Sequence, residues 1–417
     1  MLTHDPATAA TAATACVIQP RLVVVGNGMA AMRTVEELLA LHPARYHITV
    51  ISKEPHGAYN RILLSPVLAG EKTFDQIMLN RPEWYAEHGI SLKSGVSVQA
   101  VNRARREVQL DNGEVLGYER LLLATGSNPF IIPLPNHQHP AVISFRDIQD
   151  VDTMLANAAS CRNVIVIGGG LLGLEAANGL NKRGIKVTVV HDVDYLLNRQ
   201  LDQAAADLLQ GFLEQQGIDF VMNAKTDRIA LHDDGSLHGL AFKDGTILDG
   251  QLIVMAVGVR PNVQLAKDMG LQVDKAIVVS DTLQTSDPRI YAVGECVQHR
   301  GALFGLVAPL FEQAKVCANH LAELGFRRFI QKPTATTLKV TGVNLYSAGD
   351  FSGVGSDSVL YHDPANAVYK RLFFKNETLV GAVLYGDTQD GVAYFELIQN
   401  ATPVGAVRDQ LMFGVAV

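Results

Sequence analysis

The residues best placed to do chemistry in this chain are glycines. Gly26-Asn27-Gly28-Met29-Ala30-Ala31 and Gly168-Gly169-Gly170-Leu171-Leu172-Gly173 both follow the pattern G-x-G-x-x-G/A. The first Gly makes a tight turn, and the second lets backbone approach a pyrophosphate. The third position lets helix and strand pack closely, and the helix N-terminus faces the phosphates. A lone match is weak, because Gly-rich turns are common. Here each turn follows a β-branched run, Leu22–Val25 or Asn163–Ile167, and opens a helical stretch. Two matches in that context predict two dinucleotide-binding units. An acid at the end of the second strand of such a unit normally holds a ribose diol. The first unit offers Glu54, just past Val50-Ile51-Ser52-Lys53, and the second offers His191-Asp192. Asp192 suits a 2′-hydroxyl, whereas His191 suits a hydroxyl or a 2′-phosphate. No Arg/Lys cluster follows directly, which favours a coenzyme without the 2′-phosphate and leaves the other open.

Other chemistries find little support. Cys16, Cys161, Cys296 and Cys317 show no C-x-x-C spacing, so the sequence predicts no redox dithiol, iron–sulfur cluster or zinc site. The 13 histidines show no H-E-x-x-H pattern, and His137 and His139 flank a Pro-rich loop. No metal site is expected.

The elements that must position the turns can be read from the apolar pattern. Strand, turn, helix to about Leu41 and strand His47–Ile51 make one βαβ unit of about 30 residues. Asn163–Ile167, a helix over Leu174–Arg183 and Lys186–Val190 make another. Between them lie short strands at Ser97–Val101, Glu107–Leu110 and Leu121–Ala124, then a broken stretch at Pro129, Pro133, Pro135 and Pro140. A helix at about Asp202–Gln215, strands Leu252–Val257 and Ile290–Val293, and a helix from about Ala308 to Leu324 follow. From roughly Gln331 the pattern turns to aromatic strand-like runs, Leu338–Val340, Val368–Phe374 and Leu379–Leu384, with a helix-like tail. Most of their aromatics are expected in a core.

Length and composition bound the rest. At 417 residues and 48% hydrophobic content the chain suggests two or three globular domains. Thirty-five basic residues against 42 acidic ones give −7, which argues against nucleic acid and anionic membrane as partners. No apolar run approaches the ~18–20 residues of a spanning helix. Residues 1–20 lack a secretory signal and read as a disordered tail, so a cytoplasmic protein is expected.

Further motifs carry a resemblance. Ala124-Thr125-Gly126, Val257-Gly258-Val259-Arg260-Pro261-Asn262 and Ile290-Tyr291-Ala292-Val293-Gly294-Glu295 join the two turns in a set similar to the two-dinucleotide flavoprotein reductases. The run Gly57-Ala58-Tyr59-Asn60-Arg61-Ile62-Leu63-Leu64-Ser65-Pro66, with Val25–Ala30 and Leu338–Asn344, resembles more closely the N-terminal flavin portion of the assimilatory NADH-nitrite reductase large subunit. It also resembles the assimilatory nitrate reductase electron-transfer subunit.

The resemblance implies an α/β fold with two Rossmann-like, glutathione-reductase-like domains and a C-terminal α+β interface domain. It implies FAD in a domain of residues 21–135 and 258–330, NADH or NADPH in 136–257, and the interface domain in 331–417. Gly26, Gly28, Ala31, Glu54, Arg61, Val98, Ala124, Thr125, Gly126, Gly258, Gly294 and Glu295 would serve the flavin side. Gly168, Gly170, Gly173, Glu175, His191 and Asp192 would serve the nicotinamide side. Glu175 and Arg61 are the nominated catalytic positioning groups, because hydride transfer between two cofactors needs orientation more than acid–base chemistry. The helix near Ala308 would aim its N-terminus at the flavin.

Two departures stand out: Pro66 where relatives carry a Lys, and Glu295 where many carry an Asp. Without a Cys pair the electrons must go to an external acceptor: a nitrite or nitrate reductase component, an iron–sulfur protein or a rubredoxin. Four such cysteines cannot build the iron–sulfur and sirohaem domains of the large subunits, so the chain is not expected to reduce nitrite by itself. A ferredoxin or rubredoxin reductase of another system, and a redox-responsive flavoprotein with slow turnover, are alternatives. A homodimer is compatible with the third domain's aromatics.

Overall fold

The computed structural model describes residues 19–158, 160–332, 335–340 and 342–414. The expected tail lies outside them up to residue 18, as do Cys16 and Thr341.

Strand β1 (Arg21–Val25) is buried at every position after Arg21, as a strand covered on both faces must be. It runs through the first glycine turn into helix α1 (Met29–Leu41) and on to β2 (His47–Ser52). These join a fully parallel five-stranded sheet in the order Ile290–Ala292, Arg120–Leu123, β1, β2, Ser91–Ser94. Helices α1 and Val307–Leu321 pack together beside it. The two halves of this sheet's sequence, before and after the second unit, therefore share one core.

The second unit repeats the plan. Strand β3 (Asn163–Ile167), helix α2 (Leu171–Asn181) and strand β4 (Lys186–Val190) sit in a parallel sheet of order Val142–Ser144, Leu252–Met255, β3, β4, Ile218–Val221. Each unit also carries a three-stranded antiparallel meander, 98–117 in the first and 226–249 in the second. The chain crosses between units on an antiparallel ribbon, Ser127–Pro129 against Val259–Pro261.

The C-terminal part is an antiparallel sheet in the order Ala335–Val340, Val343–Gly349, Thr378–Tyr385, Val368–Lys375, Asp357–Asp363, with helix Gly391–Asn400 against it. Two of its strands, Val343–Gly349 and Asp357–Asp363, have no counterpart in the sequence expectation. Tyr346, Tyr369, Phe373, Phe374, Tyr385 and Tyr394 are buried, while Phe351, Tyr361 and Phe395 are half-buried. This sheet shares a core with the second unit through Leu345, Tyr369, Phe373, Val383 and Tyr385. Asp202 fixes the join. Its carboxylate caps helix Gln203–Gln215 at Ala205 N (3.1 Å), and accepts from Tyr369 Oη (2.6 Å) and from Arg371 (3.2 Å). Among the described residues no helix is long and apolar enough to cross a membrane.

Candidate functional site

Both glycine turns lie at the C-terminal ends of parallel strands, where ligands of open α/β sheets bind. Gly26 sits at φ 108°, and a Cβ there would lie 2.2 Å from the Ala124 carbonyl oxygen. Gly168 repeats this at φ 120°, with 2.4 Å to the Ala256 carbonyl oxygen. Both positions therefore require glycine. Gly28 and Gly170 differ in kind: a Cβ on either would meet nothing within 4 Å. Each is the N-cap of its helix with no side-chain capping bond. Uncapped backbone N–H groups facing open space form the cradle a pyrophosphate needs. A Cβ on Gly173 would lie 1.8 Å from the Gly168 carbonyl oxygen, so α2 presses onto its own turn. Ala31 shows that α1 leaves room for a methyl at the matching place.

The motifs expected around the first turn come together. The Thr125 hydroxyl donates to the Asn262 carbonyl oxygen (2.7 Å), and Asn262 N donates to the Gly126 carbonyl oxygen (2.9 Å). Gly258 accepts from Phe130 N at the same crossover. Gly294, at φ 95°, donates its N–H to Gln313 of helix Val307–Leu321 (2.8 Å). The strand end is thereby tied to the helix expected to face the flavin. Glu295 accepts from Ser127 Oγ (2.7 Å) and pairs with Arg146. Glu54 accepts from Tyr59 Oη (2.6 Å) and pairs with Arg61. Arg61 also donates to the Arg146 carbonyl oxygen (3.2 Å). Val98 stands in the meander, half-buried and opposite Leu110, beside the first core. Nearer the β2 end is Val96, whose N–H donates to the Ser52 carbonyl oxygen (3.1 Å).

On the second side Glu175 lies within α2 and meets Ser65 Oγ at 2.6 Å. Burial pushes its carboxyl up from the usual range, opposed by the Ser65 hydrogen bond. Among the described residues no cation pairs with it. The segment carrying Ser65 is clamped to the turn that follows α2 by Arg183 Nε donating to the Leu68 carbonyl oxygen (2.9 Å). His191 accepts from Gly169 N at Nδ1 (3.2 Å), and burial holds its pKa below the ordinary value while Asp192 opposes. The neutral ring thus fixes the middle of the second turn. The Asp192 side chain, 3.4 Å from His191 Nδ1, is 80% exposed.

Arg146 and Ser127, partners of Glu295, escaped the sequence reading. Neither sits in a glycine motif, although both flank the crossover. Cys161, Cys296 and Cys317 are free thiols.

Residues 20–320 match the family described as pyridine nucleotide-disulphide oxidoreductase, and 334–402 match the rubredoxin NAD+ reductase C-terminal domain. The chain is 44% identical over 385 residues to a nitrite reductase [NAD(P)H] of Bacillus subtilis, covering 92% of this chain and 48% of that protein. It is 40% identical over 393 residues to the assimilatory nitrate reductase electron transfer subunit of the same organism, covering 94% and 51%. The chain thus spans about half the length of these relatives. Putidaredoxin reductase, solved as a covalent complex with putidaredoxin, superposes with a TM-score of 0.84 at 25% identity, covering 94% of this chain and 98% of that one. Two uncapped glycine turns on paired parallel sheets and a match over most of its length make this chain a member of the pyridine nucleotide-disulphide oxidoreductase family, whose dinucleotides are FAD and NAD(P)H.

Proposed function

We propose that this chain takes electrons from NADH and passes them to an external redox protein, a component of nitrate or nitrite assimilation. The carrying observation is the pair of open glycine turns, Gly28 and Gly170, on two units with no paired cysteines between them among the described residues. Bound FAD would supply the two-electron chemistry. The first turn would hold its pyrophosphate, with Glu295 and Arg146 toward the ribityl chain. The second turn would hold the nicotinamide coenzyme, with Asp192 at the ribose. Asp192 would repel a 2′-phosphate, which supports NADH over NADPH. Glu175 and Ser65 would orient the two cofactors, and Arg61 would hold Glu54 and the interdomain linker in place. The units would divide as 21–135 with 258–330, 136–257, and 331–417. Free thiols at three positions support a reducing, cytoplasmic setting.

The nitrite and nitrate reductase relatives favour an assimilatory acceptor. A specific observation favours a second reading, a reductase for a rubredoxin or ferredoxin of another system: residues 334–402 match a rubredoxin reductase domain. The test is NADH-driven reduction of a dye by the flavin-loaded protein, then of candidate acceptors. Absence of NADH–dye turnover sinks both readings. Turnover with rubredoxin, and none with the assimilatory components, selects the second.

A further inference from the structure

The two units are built on one hydrogen-bond frame, so their residues can be matched position by position. Gly26 N donates to the Ile51 carbonyl oxygen (2.9 Å), and Gly168 N to that of Val190 (2.9 Å). Val96 N donates to the Ser52 carbonyl oxygen (3.1 Å), and Ala224 N to that of His191 (2.8 Å). Gly95 N donates to the Glu54 carbonyl oxygen (3.2 Å), and Asn223 N to that of Val193 (3.1 Å). Gly95 and Asn223 even share the left-handed region, at φ 72° and 54°. Sheet register agrees, since Val25 faces Ile51 as Ile167 faces Val190. Ser52 thus matches His191, Glu54 matches Val193, and Lys53 matches Asp192.

The acid of the first unit is therefore one residue beyond the place that matches Asp192, and its carboxylate is turned to Tyr59 and Arg61. Lys53 is exposed and makes no side-chain hydrogen bond or ion pair among the described residues. Resting on the reading that the first unit holds FAD, we propose that Lys53 is the residue set at the adenosine ribose of FAD. It replaces the carboxylate that would accept from the ribose hydroxyls, and an ammonium has no acceptor to offer them. The adenosine end of FAD is held more loosely for that reason, and position 53 determines how tightly the protein keeps its flavin.

The test is FAD release on dilution of the holoprotein, read by flavin fluorescence, for wild type, Lys53→Glu and Lys53→Gln. Lys53→Glu should lower the Kd at least about tenfold, the effect of one charge-assisted hydrogen bond, and Lys53→Gln should stay within about threefold. The Glu gain should vanish for the FAD analogue whose adenosine ribose lacks the 2′- and 3′-hydroxyls. A Lys53→Glu protein that melts like wild type but holds FAD no more tightly overturns the proposal. So does an equal gain with the deoxy analogue, or a Gln effect as large as the Glu effect. A wild-type protein that binds no FAD refutes instead the assignment of the first unit.

Discussion

Replacing Gly170 with Val separates ligand binding from folding more cleanly than any other change at the second turn. Gly170 has φ −85°, which Val tolerates, and a Cβ there meets nothing within 4 Å. The fold should lose only the difference between Gly and Val at an N-cap, about 1 kcal/mol or less. For a protein of this size that is a Tm shift of about 2–4 °C at most. The ligand should lose much more, because the branched side chain occupies the space where a pyrophosphate must approach the N–H groups of α2. Two lost hydrogen bonds to a charged group cost about 3–6 kcal/mol, or roughly two to four orders of magnitude in coenzyme affinity. Anaerobic bleaching of the flavin by NADH measures this, with dithionite as the control for intact flavin. Gly170→Val should stay yellow, bleach with dithionite and fail with NADH at concentrations that saturate wild type. The twin change Gly28→Val should lose the flavin itself. A Gly170→Val protein that bleaches normally, or one that loses FAD, would show that the second turn does not hold the nicotinamide coenzyme.

Protonating His191 would set two N–H donors face to face at Gly169, so the KM for NADH should rise as pH falls below the ordinary histidine range, and His191→Asn, an acceptor that does not titrate, should flatten that limb. Because the native pKa of Glu175 is raised, its stabilising contribution is full below the ordinary carboxyl value and is lost as pH rises through the native one. Thermal melts at neutral pH should therefore show Glu175→Gln at least as stable as wild type, and a clear loss would contradict a carboxyl strained by burial. Asp202→Ala removes a helix cap and the anchor of Tyr369 and Arg371 together, for about 2–4 kcal/mol in denaturant unfolding. Tyr369→Phe should cost about 1 kcal/mol, and equal losses for the two would mean that the cap and the Arg371 contact contribute nothing.

The glycine turns were legible because their requirement is local: a positive φ and a carbonyl oxygen close overhead exclude every other side chain at Gly26 and Gly168. The buried parallel strands were legible because burial on both faces leaves an unbroken apolar run. Strand Asp357–Asp363 was not, since it is an edge with mostly exposed or half-exposed residues and mixed polarity. Helix α2 begins three residues before the expected start because its first turn lies inside the glycine motif itself. The Ser65–Glu175 and Asp202–Tyr369 contacts join residues 110 and 167 positions apart, which no local pattern encodes. The end of β2 is less plain for a subtler reason: Ser52 is polar yet buried in the strand, so the apolar run stops one residue before the strand does.

The crossover ribbon has an architectural consequence. The chain leaves the first unit at Ser127–Pro129 and returns at Val259–Pro261, on neighbouring antiparallel strands. Everything between, including the whole second sheet, is a cassette whose two ends lie side by side. Closing the host across such a gap needs only a short turn, so excising the cassette asks little of the first sheet, whose strands all lie outside it. A different coenzyme-binding cassette could be spliced at the same ribbon without altering the strand order of its host. The strand order of the first sheet is thus independent of the inserted unit, but residues 59–77 and the C-terminal sheet pack into that unit's core, so a replacement would have to match those contacts.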